Sequence, residues 1–117
     1  YSWPGKTILI AEDEESNYKL LFEVLRRSGI EVLRAKTGYE AIHLVKENET
    51  INLILMDIQM PGMDGYVATR EIKKLKPNIP IIAQTAYAMS GEKERSKEYG
   101  CDDYLSKGCR DNDRICY

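Results

Sequence analysis

Short apolar runs alternate along this chain with longer segments in which apolar residues recur at helical spacing. Runs that are short, rich in β-branched residues and bounded by turn residues are typical of strands. They predict five strands, at residues 7–11, 30–35, 52–57, 79–84 and 103–107. The helical spacing predicts four helices, at residues 14–28, 38–48, 65–75 and 90–99. Strands that alternate with helices form parallel sheets covered on both faces, so the pattern predicts a doubly wound five-stranded α/β domain.

Turn-forming and capping residues lie at the ends of several predicted elements. Gly29 follows the first helix, where a residue with positive φ commonly ends a helix. Asp64 is placed to cap the third helix. Gly65 lies in the loop after the third strand, and we expect it to adopt a backbone conformation that other residues resist. The fourth helix is almost wholly polar, so we expect it to pack weakly.

Composition limits the chain to one globular domain. Its 117 residues are 43% hydrophobic and 31% charged, and 17 basic against 19 acidic residues give a net charge of −2. This balance argues against binding to nucleic acid or to an acidic membrane surface, and the apolar runs are too short to span a bilayer. Three cysteines with one histidine fit neither a disulfide framework nor a zinc site, which favours the cytoplasm. The chain begins with tyrosine, and we expect residues 1–5 to be a linker from a longer protein.

Polar residues that could bind a ligand or take part in a reaction lie at the ends of four of the predicted strands. Glu12 and Asp13 follow the first strand, Asp57 ends the third, Thr85 follows the fourth and Lys107 ends the fifth. Functional groups of such sheets collect at the carboxyl ends of the strands. Three carboxylates there would repel one another unless a cation lay among them, and Mg²⁺ prefers such oxygen ligands. A lysine and a threonine suit phosphoryl oxygens, so the set predicts attack by a carboxylate on phosphorus.

Each of these residues also has a simpler interpretation. Asp13 by itself is more often a cap or a solvated charge, and Thr85 and Lys107 are ordinary at strand ends. Asp57 is harder to explain, because an acidic residue that closes an apolar strand is rarely buried without a partner. The coincidence at four strand ends therefore favours a site. We expect Cys101 to be a buried small residue and His43 to lie on a helix surface.

Four segments in order resemble the receiver domain of two-component response regulators: ILIAEDEESN, LILMDIQMPGMDG, PIIAQTAYA and GCDDYLSK. The resemblance covers residues 6–107 and implies a flavodoxin-like fold with strand order 2-1-3-4-5. The segment AEDEESN is most similar to the corresponding segment of receivers attached to hybrid sensor histidine kinases.

The resemblance implies roles for the acidic residues. Asp57 would be the phospho-acceptor, which takes a phosphoryl group from a histidine kinase or a phosphotransfer protein. Asp13 would bind Mg²⁺ directly and Glu12 would bind it through water. The backbone carbonyl of Gln59 would be a further ligand.

The resemblance also implies a conformational switch. Lys107 would pair with the phosphoryl oxygens, and Thr85 would donate its hydroxyl to them. Tyr104 would turn inward when Thr85 is drawn toward the phosphate. Gln59 and Tyr87 occupy positions that tune the lifetime of the aspartyl phosphate. The fourth-helix face would then bind a second copy of the chain or a downstream effector.

One departure from the family pattern leaves alternatives open. Lys107 is followed by Gly108 where the family has proline, and residues 108–117 do not predict the fifth helix, which we expect to be missing or altered. A receiver-like interaction module that is not phosphorylated is therefore one alternative. A Mg²⁺-dependent phosphohydrolase is another, although such enzymes place an acid where this chain has Gln59. We expect the domain to catalyse only its own phosphorylation and dephosphorylation, and not to turn over a separate substrate.

Overall fold

The computed structural model describes residues 5–60, 62–85, 94 and 97–106, without the side chains of Thr85, Leu105 and Ser106. Strands and helices alternate from residue 7 to residue 85, as predicted. Their bounds are β1 Thr7–Ala11, α1 Glu15–Arg26, β2 Glu31–Ala35, α2 Gly38–Glu47, β3 Ile51–Asp57, α3 Gly65–Leu75, β4 Ile81–Thr85 and β5 Asp103–Ser106. No helix among the described residues is long and apolar enough to cross a membrane.

The five strands form one sheet in the order β2-β1-β3-β4-β5, and every neighbouring pair is parallel. This confirms the predicted flavodoxin-like architecture. Of the predicted fourth helix, Glu94, Lys97 and Glu98 are described and helical, and most of the remainder lies outside the described residues. The predictions for Lys107 and for the tail at 108–117 also lie outside them.

The fourth strand begins later than the sequence predicts. It starts at Ile81 and not at residue 79, and it includes Thr85. The N–H of Ile79 donates to the carbonyl of Lys76 at 3.3 Å and so belongs to the preceding turn. Pro80 has no N–H to donate to a neighbouring strand. Only the Pro80 carbonyl takes part in the pairing, by accepting from the N–H of Ile54 at 3.0 Å, and so the regular strand begins at Ile81.

The sheet separates two hydrophobic cores. The α1-side core contains Ile8, Ile10 and Leu55 from the strands and Leu21 from α1. The α2/α3-side core covers the other face and includes residues of α2 and α3, such as Val45 and Ile72. Because successive strand residues point to opposite faces, each strand contributes alternate residues to the two cores. The same alternation decides which face each strand-end side chain occupies.

The predicted roles of Asp64 and Gly29 next to the helices are confirmed, although α1 ends at Arg26, two residues earlier than predicted. The Asp64 side chain accepts a hydrogen bond from the N–H of Val67 at 3.0 Å and caps α3. Gly29, after α1, has a φ of 79°, which favours glycine. The Asp64 cap and the turn at Gly29 fix where a helix begins or ends next to a strand, and so they help to set the positions of the strand ends.

Candidate functional site

Three acidic side chains meet at the carboxyl edge of the sheet. Glu12 and Asp13 follow β1, and Asp57 is the last residue of the neighbouring β3. One carboxylate oxygen from each lies within 4.8 Å of the others. Glu12 and Asp57 are only 1% and 2% exposed, whereas Asp13 is exposed. Like charges this close repel strongly where water is largely excluded, so the cluster favours a cation.

The donor set fits Mg²⁺. Carboxylate oxygens are hard ligands, and Mg²⁺ is usually held by one or two carboxylates while it keeps several waters. Glu12 and Asp57 are buried and Asp13 is exposed, so water can reach the cluster at Asp13. Glu12, Asp13 and Asp57 are therefore the residues that would hold the ion. The ion would supply positive charge next to a transferring phosphoryl group.

The backbone around Asp57 fixes its carboxylate. Its Oδ1 accepts a hydrogen bond from the N–H of Gln59 at 2.9 Å. The N–H of Ile58 donates to the carbonyl of Gln84 at 3.1 Å, which extends the pairing of β3 with β4 past the strand end. Gln59 thus lies beside Asp57, as the predicted ligand position requires, although its role as a ligand remains a prediction.

Gly65 is required by close approach and not by an unusual backbone conformation. Its φ lies outside the left-handed region, so the prediction of a special conformation was wrong. A Cβ added there would lie 2.6 Å from the Cα of Ile58 and even closer to the carbonyl oxygen of Asp57. The Gly65 N–H also donates to the Ile58 carbonyl at 3.3 Å. The first residue of α3 therefore packs directly on the backbone that carries Asp57.

Arg34 holds the loop that carries the other two acids. From β2, its Nε donates to the carbonyl of Glu12 at 3.2 Å, and a terminal nitrogen donates to the carbonyl of Asp13 at 3.4 Å. The other terminal nitrogen pairs with the Glu15 carboxylate at 2.6 Å, and the guanidinium lies 4.3 Å from the ring centre of Tyr18. The Arg34 hydrogen bond lowers the pKa of Glu15. Sequence reasoning missed this residue, although one basic residue inside the short strand EVLRA was a signal.

The predicted switch residues lie on the two neighbouring strands β4 and β5. Tyr104 pairs in register with Ala83, is half-buried and packs against the α2/α3-side core. Thr85 ends β4 opposite Ser106, but its side chain is not described. Lys107 and Tyr87 lie outside the described residues. The roles given to Thr85, Tyr104 and Lys107 therefore stay predictions.

Two further sequence predictions are confirmed away from the acids. Cys101 is buried, with its sulfur 3.9 Å from the Thr69 hydroxyl, and burial raises the pKa of its thiol. His43 lies exposed on α2. Neither residue takes part in the acidic cluster, which consists of Glu12, Asp13 and Asp57 within the described part of the chain.

Comparison with known proteins gives a consistent result. The family model of the response regulator receiver domain matches residues 8–116. The polar-differentiation response regulator DivK of Brucella ovis is 42% identical over 104 residues, which cover 87% of this chain and 84% of that protein.

Two solved structures add information on ligands and partners. The receiver domain of the Pseudomonas aeruginosa sensor histidine kinase PA1611, with magnesium coordinated in its active site cleft, is 36% identical. Its TM-score is 0.81, over 91% of this chain and 88% of that one. The receiver domain of Saccharomyces cerevisiae Ssk1, solved with the histidine phosphotransfer protein Ypd1, is 31% identical, with a TM-score of 0.82 over 92% and 81% of the two chains.

The family match extends over nearly the whole chain, the strand order is that of the expected fold, and the acids lie at the predicted strand ends. This chain belongs to the response regulator receiver domain family.

Proposed function

We propose that this receiver accepts a phosphoryl group on Asp57 from a phosphohistidine, with Mg²⁺ held by Glu12, Asp13 and Asp57. The observation that carries the proposal is the meeting of three carboxylates within 4.8 Å, with Asp57 nearly fully buried among them. The cluster brings together three negative charges, which a divalent cation would largely balance. The magnesium in the cleft of the PA1611 receiver supports the same arrangement here.

The transfer is a nucleophilic substitution at phosphorus. A carboxylate oxygen of Asp57 forms the new O–P bond as the P–N bond of the phosphohistidine breaks, and the electron pair of that bond stays with the imidazole. The hydrogen bond from the Gln59 N–H to Oδ1 orients the Asp57 carboxylate for this attack. Lys107 would pair with the phosphoryl oxygens, and Gln59 would add its carbonyl to the ion. The receiver catalyses only its own phosphorylation and dephosphorylation and turns over no separate substrate.

The phosphorylated state would act through the β4–β5 side of the domain. Thr85 would donate its hydroxyl to the phosphoryl group, and Tyr104 would move inward with it. The half-buried position of Tyr104 supports this role, because a partly exposed ring can occupy two packing states. The altered fourth-helix face would bind a second copy of the chain or an effector.

The donor of the phosphoryl group is a histidine kinase or a phosphotransfer protein in the cytoplasm. The Ssk1 receiver in complex with Ypd1 supports a phosphotransfer partner, and the PA1611 receiver supports a place next to a sensor kinase. We propose residues 6–107 as the receiver, preceded by a linker at 1–5 and followed by an atypical tail at 108–117.

The test is incubation with acetyl phosphate and Mg²⁺ followed by intact-mass measurement. We expect one labile phosphoryl group on the wild type and none on Asp57→Asn. Glu14→Gln is the matched control, because this exposed acid lies beside the cluster but outside it, and we expect it to be modified normally. An absent adduct, or an adduct that persists in Asp57→Asn, would overturn the proposal. Sustained phosphate release from small phosphoesters would indicate a phosphohydrolase instead.

A further inference from the structure

Three buried polar side chains lie in one row across the carboxyl end of the sheet. Asp57 pairs in register with Gln84, and Ala11 pairs with Met56, so Glu12 continues the register beside Asp57. The N–H of Glu12 still donates to the Ala35 carbonyl at 2.9 Å, which shows that β1 remains paired at this residue. We call Glu12, Asp57 and Gln84 the polar row.

The polar row occupies the α1 side of the sheet. Ile10, Leu55 and Ile82 belong to or pack against the α1-side core. Each member of the polar row follows one of them by two residues, and residues two apart in a strand point to the same face. Adjacent strands are about 4.8 Å apart, so the Gln84 side chain emerges next to that of Asp57.

Gln84 differs from its two neighbours because its amide has no partner among the described residues. The side chain is 0% exposed. Neither its Nε2 nor its Oε1 has a hydrogen-bond partner within the part of the chain that the structure describes. Buried polar atoms in native proteins nearly always have a partner, because an unsatisfied one carries its full desolvation cost.

Packing alone does not explain a glutamine at this position. The residue two positions earlier on the same face is Ile82, and a leucine or methionine would fill such a place without a desolvation cost. The missing partner is therefore expected to come from what the site binds. An amide carries two donors and an acceptor, which match phosphoryl oxygens and the waters of a hydrated Mg²⁺.

We propose that Gln84 is a ligand-binding residue of the phosphoryl site, whose carboxamide hydrogen-bonds to oxygens that arrive with the ligands. These oxygens belong to a water of the bound Mg²⁺ or to the phosphoryl group. The inference rests on the proposed function, because it assigns Gln84 to the same site beside Asp57. It adds a neutral hydrogen-bonding group to the three carboxylates of the acidic cluster.

The test compares the wild type with Gln84→Met, which keeps the length and volume of the side chain but removes the amide. Ile82→Met is the matched control, because it changes the same strand and the same face. Without ligand, we expect Gln84→Met to raise Tm by about 4 °C or more, since an unsatisfied buried group disappears. With ligand, we expect affinity to fall by about fivefold, the size of one net hydrogen bond. Ile82→Met should leave the ligand affinity unchanged.

Two calorimetric titrations distinguish the sources of the partner oxygen. A loss of affinity for Mg²⁺ alone would identify a metal-bound water. A loss only for beryllium fluoride, a stable mimic of the phosphoryl group, added with saturating Mg²⁺ would identify the phosphoryl oxygens. If Gln84→Met binds both probes as the wild type does, the inference is wrong, whatever happens to Tm.

The outcome is separable from that of the proposed function. If wild-type protein takes up no phosphoryl group from acetyl phosphate, the function itself fails. If it does so and Gln84→Met keeps both affinities, only the role of Gln84 fails. Should Gln84→Met not fold, the same titrations on Gln84→Leu decide the question.

Discussion

Replacement of Gly65 by alanine tests whether the N-terminus of α3 fixes the position of Asp57. The added Cβ would lie 2.6 Å from the Ile58 Cα, where ordinary contacts begin at 3.4 Å, and the carbonyl oxygen of Asp57 would be closer still. Backbone atoms cannot rotate away as a side chain can. The α3 helix and the end of β3 must therefore separate by about 0.8 Å or more.

This separation has an energetic and a functional consequence. Overpacking of this kind typically costs about 1–3 kcal/mol in the free energy of unfolding. For a domain of this size each kcal/mol lowers Tm by about 4 °C. The displaced backbone carries Asp57, and a misplacement of about 1 Å at a reacting group reduces rates by up to about a hundredfold. We therefore expect Gly65→Ala to lower both stability and the rate of phosphorylation by acetyl phosphate.

Gly29→Ala is the matched control. Its φ of 79° makes alanine unfavourable by about 1–2 kcal/mol, but no atom lies within 4 Å of the added Cβ. Urea unfolding should then show a loss of stability for both variants, while intact-mass kinetics should show slower phosphorylation only for Gly65→Ala. The reasoning would be refuted if Gly65→Ala were as stable as the wild type, or if both variants lost phosphorylation equally.

Three further predictions concern residues around the sheet. Arg34→Lys should weaken Mg²⁺ binding several-fold in calorimetry. The reason is that one ammonium group cannot replace the planar guanidinium, which binds two carbonyls and a carboxylate. An unchanged Mg²⁺ affinity would contradict this prediction. Burial raises the pKa of Asp102, whereas hydrogen bonds from Lys73 and from the Ile81 N–H, together with the charge of Lys73, lower it. The net result is a pKa below the usual value of an aspartate. The ionised Asp102 therefore stabilises the fold at neutral pH, and this stabilisation is lost as pH falls through the folded-state pKa. Asp102→Asn should lower the free energy of unfolding by at most about 1 kcal/mol at neutral pH. Urea unfolding should show this gap close as pH falls through the folded-state pKa, and a constant gap would exclude the ion pair. Cys101 should resist iodoacetamide at about pH 8 until the protein unfolds, as checked by peptide mass mapping, since burial raises the pKa of its thiol.

Local pattern and topology rules determined much of this protein from its sequence. Strand and helix positions followed from the spacing of apolar residues, and parallel strands bring their carboxyl ends to one edge. Glu12, Asp13 and Asp57 could therefore be placed together from the sequence alone, because each directly follows or ends a strand. The Asp64 cap and the turn at Gly29 were predictable for the same reason, since both depend on residues close in sequence.

Only the tertiary structure decided which distant residues support those acids. Arg34 reaches the β1–α1 loop from the neighbouring strand, over 22 positions in sequence to Glu12. Gly65 is needed because a helix start packs on the backbone of Asp57, and Gln84 lies beside that residue because of the β3–β4 register. Register and close approach arise from packing between segments, which no local pattern encodes. The sequence therefore located the acidic groups, and the fold determined what orients them.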